Sequence, residues 1–230
     1  MKTIGIIGGM SWESTRTYYE LINSQVKQSL GGLHSAKIVL ISIDFAELEA
    51  MQARGDWDAA AELMVDAAKK LELTGADFFM IATNTMHKVA EQVQAAVSIP
   101  LLHIATATGE ALVRDKRQRV ALLGTRFTME QDFYTAQLQQ RFGLDVLIPS
   151  APDRDTVHNV IYNELCLGRI ESRSRQQYQA IIDRLVQRGA ECVILGCTEI
   201  SLLISPTDVQ IPVYDTTAIH AKAATELALS

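Results

Sequence analysis

The chain has 230 residues, 48% of them hydrophobic, and a formal net charge of −6 at pH 7. A chain of that length can bury roughly 70% of its unfolded surface, so it needs neither disulfide nor metal to fold. The acidic balance lacks the basic stripe of a nucleic-acid partner, and no apolar run is long enough to span a bilayer. The sequence opens on a strand-like run rather than on a charged and apolar leader, so the expected compartment is the cytoplasm. Three cysteines, Cys166, Cys192 and Cys197, form no C-x-x-C pair and no disulfide framework, as suits a reducing environment.

In chain order, the pattern predicts strand Thr3–Ile7, helix Ser14–Gln28, strand Lys37–Ile43, helix Asp56–Leu73, strand Phe78–Ala82 and helix Met86–Ala95. Strand Leu101–His103, helix Thr106–Lys116, strand Arg119–Leu123, helix Met129–Phe142 and strand Asp145–Ile148 follow. The remainder reads as helices Arg154–Leu167 and Ser172–Arg188, strands Cys192–Leu195 and Pro212–Tyr214, and helix Ala218–Leu229. Continuous apolar strands alternating with helices predict an α/β fold whose parallel sheets are covered on both faces. In such sheets ligands bind beyond the carboxyl ends of the strands. Gly8-Gly9, Thr83-Asn84-Thr85, Gly124-Thr125 and Gly196-Cys197-Thr198 all fall at those ends.

The chain also repeats itself. Gly75 to Thr85 resembles Gly189 to Glu199: each has a Gly-Ala-acidic start, an apolar run and a turn rich in hydroxyl or thiol groups. Ile4 to Gly9 resembles Val120 to Thr125, and Ile99-Pro100-Leu101-Leu102 resembles Ile211-Pro212-Val213-Tyr214, in the same order at nearly the same separation. The period is too long for a solenoid and indicates a duplicated α/β half. Residues 1–112 are expected to form the first half and 113–215 the second, with helix 216–230 packing back on the first. No linker rich in Pro, Gly or Ser separates the halves, so a pseudo-symmetric pair with the active site in the cleft between them is expected.

The repeat lays Thr83 over Cys197. A free cysteine is ordinarily a small buried hydrophobe, and that reading suits Cys192 in mid-strand and Cys166 on a helix. Cys197 instead lies at a turn before a short helix, and helix N-termini favour the thiolate. Thr83 alone would be a cap or turn residue; its register with Cys197 raises it to a candidate. Asn84, Thr85 and Thr198 place short donors beside strand ends, where backbone N–H groups also suit a carboxylate. His87, one turn further on, either orients a ligand or begins a helix. The Gly5 to Gly9 run lacks dinucleotide spacing, no P-loop occurs, and the five histidines show no metal-ligand pairing, so no nucleotide, cofactor or metal is expected.

Gly8-Gly9-Met10-Ser11-Trp12-Glu13-Ser14-Thr15 with Tyr18-Tyr19 resembles the opening of aspartate/glutamate racemases. Asn84-Thr85-Met86-His87 and Gly196-Cys197-Thr198-Glu199-Ile200 resemble that family's two active-site motifs, and the similarity covers essentially the whole chain. The resemblance implies cofactor-independent racemisation, usually by a homodimer, in which two cysteines flank the α-carbon of an amino-acid substrate. Thr83 and Cys197 are then the catalytic pair, with Asn84, Thr85, Thr125 and Thr198 on the substrate carboxylate and Met10 and Ser11 lining the cleft. This chain departs from the pattern at its first cysteine, where Thr83 stands. Cys197 as base with Thr83 as donor implies a bias from L to D. Gln52 and Cys166 stand near places where acid-specific members carry cations, with Arg54 and Arg169 nearby, which implies a broader substrate range. The rivals are a one-cysteine decarboxylase or isomerase of the same fold and a non-catalytic amino-acid-binding protein.

Overall fold

The computed structural model describes the whole chain, Met1–Ser230. It divides into two compact units, one of Met1–Ile104 with His220–Ser230 and the other of Ala105–Ile219. The division therefore falls at Ile104 rather than near residue 112, because helix Ile104–Arg114 counts almost wholly with the second unit.

The first unit opens with strand β1 (Ile4–Gly8), buried at every position. Helix α1 (Trp12–Leu30) follows, capped by Ser11, whose hydroxyl accepts from the Ser14 amide, with Glu13 in the first turn. Strand β2 (Ile38–Ser42) leads to α2 (Phe45–Arg54), which the sequence pattern did not mark. Only Leu48 and Gln52 are buried on α2, so its apolar stripe is too thin to read. The Asp44 cap and the left-handed Gly55 bound it. Helix α3 (Trp57–Leu73) and strand β3 (Phe78–Ile81) follow. The expected helix Met86–Ala95 is in fact a 3-10 helix, Thr85–Val89, followed by α4 (Ala90–Ala95). The expected strand at Leu101–His103 shrinks to a single parallel bridge between Phe79 and Leu101, because helix α5 (Ile104–Arg114) starts directly after His103.

In the second unit, β4 (Arg119–Gly124) is followed by α6 (Arg126–Glu130), α7 (Asp132–Ala136) and a π-helical turn, Gln137–Arg141. The single helix expected there is broken by the extended backbone of Gln131. Strand β5 (Asp145–Leu147) and α8 (Ala151–Asn163) come next. The expected extension of α8 to Leu167 is a separate 3-10 turn, Leu165–Leu167, closed by left-handed Gly168. Helix α9 (Ser172–Gln187), strand β6 (Cys192–Gly196), the short α10 (Ile200–Leu203), strand β7 (Val213–Asp215) and α11 (Thr216–Leu229) complete the chain.

All strand pairs are parallel, in the orders β2-β1-β3 and β5-β4-β6-β7. The sequence repeat is reproduced as register. Ile4 pairs with Phe78 as Val120 pairs with Cys192, and Ile7 with Ile81 as Leu123 with Leu195. The Phe79–Leu101 bridge matches the Val193–Val213 pair, and the Phe79 and Val193 amides donate to the Pro100 and Pro212 carbonyls at 3.0 and 2.9 Å. In the first unit, Ile7, Phe79 and Ile81 pack with α3, while Ile4, Ile6, Phe78 and Met80 pack with α1 and with Ala221, Ala224 and Ala228 of α11. In the second, Ala121, Leu123, Val193 and Leu195 pack against α8 and α9. No helix is long and apolar enough to cross a membrane.

Two buried histidines tie the first unit together in their neutral form. The Tyr18 hydroxyl lies 3.1 Å from His220 Nδ1, and His220 Nε2 lies 2.8 Å from the Leu102 carbonyl, so Nε2 carries the proton and Nδ1 accepts. Burial drives the His220 pKa down to about 3, and that of His87 well below its ordinary value. The unfolded chain binds these protons below pH 6.5 while the folded chain does not, so stability is full above 6.5 and is lost as the pH falls toward 3. The unfolding free energy should be flat between pH 7.5 and 6.5 and should fall between pH 6.5 and 5 by on the order of 1 kcal/mol per pH unit for each such histidine. His220→Gln should start less stable and show a shallower slope; an unchanged slope would remove His220 from this account.

Candidate active site

Each sheet delivers one candidate proton-handling group at the carboxyl end of a strand. Thr83 follows β3 and the buried Ala82; Cys197 follows the buried Gly196 of β6. Both are part-exposed while the residues before them are buried, so the repeated register brings the same place in each sheet to the surface.

The opening loop is held tightly. The Gly9 amide donates to Thr15 Oγ1 at 2.8 Å, and that hydroxyl donates to the Ser11 carbonyl at 2.9 Å. Gly9 has a φ of +90°, and a Cβ there would strike the Ile43 backbone, so both conformation and space require glycine. The Met10 side chain, expected to line a cleft, is buried in the core with Ile7, Leu48 and Met86. Ser11 caps α1. Asn84 and Thr85 are both buried, Thr85 as the first residue of the 3-10 helix. Gln52 is buried on α2, and its amide nitrogen lies 3.1 Å from Met86 Sδ. Arg54, at the end of the same helix, is exposed, as is Arg169 in the second unit.

In the second unit Thr125 caps α6: its hydroxyl accepts from the Thr128 amide at 3.4 Å and lies 3.2 Å from the Thr128 hydroxyl. The Thr217 hydroxyl donates to Thr198 Oγ1 at 3.1 Å, and Ser201 donates to the Thr198 carbonyl at 2.7 Å. Asp215 accepts from the Thr217 amide at 2.8 Å, and burial holds its carboxyl above the ordinary range. The start of α11 therefore braces the turn that carries Cys197. Cys166 and Cys197 both pack against the core of this unit.

Cys197 does not sit in the field the sequence suggested. The helix after it, α10, is only the four residues Ile200–Leu203, and the backbone hydrogen bond from Glu199, which favours the thiolate, is outweighed by burial and the Glu199 charge. The thiol donates to Glu199 Oε2 at 2.9 Å. Dense surroundings and then the negative charge of Glu199 push its pKa well above the ordinary thiol value. At rest the pair is therefore a neutral thiol beside a carboxylate, not a preformed thiolate. Glu199, which the sequence reading used only as part of a motif, is the acceptor in direct contact with the candidate nucleophile; a carboxylate two residues after a strand-end cysteine was the available signal. Cys192 is a core residue of β6 with its pKa pushed up to about 12, as its mid-strand place predicts.

No group of three His, Cys, Asp or Glu side chains is arranged to hold a metal ion. A recess of about 650 Å³ in the second unit, lined in part by Lys116, Arg117, Arg119 and Glu191, lies at the amino ends of β4 and β6 and includes no predicted site residue.

The model of the Asp/Glu/Hydantoin racemase family matches residues 7–224. The broad specificity amino-acid racemase RacX of Bacillus subtilis is 26% identical over 224 residues, covering 96% of this chain and 95% of that protein. A solved structure from Yersinia pestis, itself provisionally described as an Asp/Glu racemase, is 51% identical with a TM-score of 0.95 and full coverage of both chains. An aspartate racemase homologue from Pyrococcus horikoshii is 33% identical with a TM-score of 0.87, again over both full chains. With a duplicated parallel-sheet fold, a cysteine and a threonine at matching strand ends, and a family match across nearly its whole length, the chain belongs to the Asp/Glu/Hydantoin racemase family.

Proposed function

We propose that the chain is a cofactor-independent amino-acid racemase of the aspartate/glutamate type, with Cys197 and Thr83 as its two proton-handling groups. The observation that carries this reading is the matched placement of those two residues, each part-exposed directly after a buried strand in the same register. Racemisation needs one group for each face of the α-carbon, and each unit supplies one.

Glu199 takes the thiol proton as Cys197 engages the substrate, and the resulting thiolate removes the α-proton from the enantiomer that faces it. Negative charge develops toward the substrate carboxylate. Donors in the Asn84, Thr85, Thr125 and Thr198 turns stabilise it most if they are already held in place, as the brace on Thr198 favours. The Thr83 hydroxyl then delivers a proton to the opposite face and recovers one through water, to which Glu199 releases the proton it took from the thiol, so that every group returns to its starting state. An ordinary thiol ionises near pH 8.5 whereas an aliphatic hydroxyl does not ionise in the working range, so the reverse direction, with Thr83 as base, is the slower one. Cys197 is assigned to the face of the L-enantiomer by analogy with the family, which makes L to D the faster initial rate; the equilibrium is untouched. Gln52, bonded to Met86 rather than presenting a cation, supports a range that includes neutral amino acids.

Incubation with L- and D-amino acids in D2O reads α-deuterium exchange and chirality together. The wild type should exchange aspartate or glutamate and some neutral amino acids, and Cys197→Ser should lose ~10²-fold or more while folding normally. A folded Cys197→Ser protein with undiminished exchange removes Cys197 from the mechanism; absence of exchange with any amino acid marks a binding protein.

Glu199→Gln should lower the Cys197 pKa by removing the adjacent charge. Alkylation by iodoacetamide at pH 8 should then be faster than in the wild type, while turnover falls because the proton acceptor is gone. Slower alkylation would mean that Glu199 assists ionisation of the resting thiol.

Thr83→Cys should raise the initial rate from the D-enantiomer more than that from the L-enantiomer. Equal initial rates in the wild type with no gain from Thr83→Cys would exclude Thr83 as the second group.

A further inference from the structure

We propose that His87 is a positioning residue that acts through Thr83, its neutral ring fixing the turn that carries the Thr83 hydroxyl; this rests on the reading of Thr83 as the second proton-handling group. His87 is 2% exposed. Its Nδ1 lies 2.8 Å from the Thr83 carbonyl oxygen, and a carbonyl only accepts, so Nδ1 carries the proton. Its Nε2 accepts from the Ile104 amide at 3.2 Å. Both ring nitrogens are thus committed to backbone groups, one donating and one accepting. That fixes a single neutral tautomer and leaves no ring position for proton transfer.

The turn needs such a brace. The Ala82 amide still donates to the Ile7 carbonyl at 2.9 Å, as a strand residue does, and Thr83 comes after this last sheet-like bond. The Thr83 carbonyl is then held by the His87 ring, and the Asn84 carbonyl accepts from the His87 amide at 3.1 Å. One residue therefore holds both carbonyls at the strand end. The ring is immobilised in turn: His103 packs edge-on at 4.4 Å between centroids, and His220 lies at 6.1 Å. The rings do not form a metal-binding group. Burial and the two neighbouring imidazoles keep His87 uncharged, which is what its contact with the Ile104 amide requires.

The second unit gives independent support. In the repeat, Ser201 stands where His87 stands, four residues after Cys197 as His87 is after Thr83. The Ser201 hydroxyl donates to the Thr198 carbonyl at 2.7 Å. Both strand-end turns are thus closed by a side-chain donor from the same repeat position, onto the Thr83 carbonyl in one unit and onto that of Thr198, the counterpart of Asn84, in the other.

The test compares His87→Asn, His87→Gln and Thr83→Val, reading kcat and KM for conversion of L- to D-aspartate, which requires proton delivery to the Thr83 face, with circular dichroism for folding. An Asn amide nitrogen replaces Nδ1 and keeps the bond to Thr83, whereas a Gln amide replaces Nε2 and keeps the bond to Ile104. His87→Asn should retain most of kcat. His87→Gln should lose ~10- to 100-fold in kcat with a much smaller change in KM, as a misplaced reacting group does. Equal kcat for the Asn and Gln proteins, with Thr83→Val impaired, overturns the role of His87 and leaves Thr83 intact. Thr83→Val converting L- to D-aspartate as fast as the wild type overturns the Thr83 reading itself. If His87→Gln does not fold, long-range 1H–15N NMR of the wild-type ring decides: protonation at Nδ1 alone at pH 7 supports the proposal, and a proton at Nε2 overturns it.

Discussion

The parallel register between β1 and β3, repeated between β4 and β6, is the constraint on which the candidate site depends. Strand side chains alternate faces, so a slip of one residue would exchange inward for outward positions along the whole strand. Pairing Ile7 with Ile81 and Leu123 with Leu195 fixes where each strand stops. It also fixes which residue is first to leave the buried sheet, Thr83 in one unit and Cys197 in the other. The cores enforce that register. Ile4, Ile6, Phe78 and Met80 are committed to one face of the first sheet, Ile7, Phe79 and Ile81 to the other, and any shift would carry them out of both.

Equivalent positions do not make equivalent chemistry. Cys197 has Glu199 against its sulfur and surroundings that disfavour charge, so the thiol stays protonated until its proton has somewhere to go. Such a site is protected from idle oxidation and alkylation because the reactive thiolate is scarce at rest. Thr83 has no ionisable partner on its side chain. Its backbone is instead anchored by a histidine whose two nitrogens are both occupied. One strand end thus holds a thiol against a carboxylate, and the other a hydroxyl on a backbone anchored by a buried ring.

Much of the polar chemistry in the chain is structural. His220 joins α11 to α1 and to the Leu102 carbonyl, and His87 joins the turn after β3 to the start of α5. These bonds satisfy buried polar groups that would otherwise carry a desolvation cost. The same burial that makes the histidines useful as neutral links removes them from acid–base work near neutral pH. Thr216, Thr217 and Ser201 do comparable work around Thr198 and Leu195, with hydroxyls that need no charge.

The sequence by itself determined the fold class, the repeat and the two strand-end residues. Apolar runs of strand length, glycine punctuation and internal similarity are local signals, and the register of the repeat could be read from Ile4 over Val120 and Phe78 over Cys192 before any pairing was seen. It also marked Cys192 as core, since a mid-strand thiol among Val193 and Ile194 has nowhere else to be. Tertiary structure decided what local pattern does not encode. Helix α2 was invisible because only Leu48 and Gln52 on it are buried. The helix expected after Met129 breaks at the extended Gln131. Met10 belongs to a core formed with residues distant in sequence, Leu48 and Met86. The state of the Cys197 thiol could not be read from a helix-start signal, since pKa depends on which charges and how much solvent surround a group in space. The same holds for His87: its contact with Thr83 is local, but the Ile104 amide and the packed imidazoles that fix its tautomer are assembled only when the chain folds.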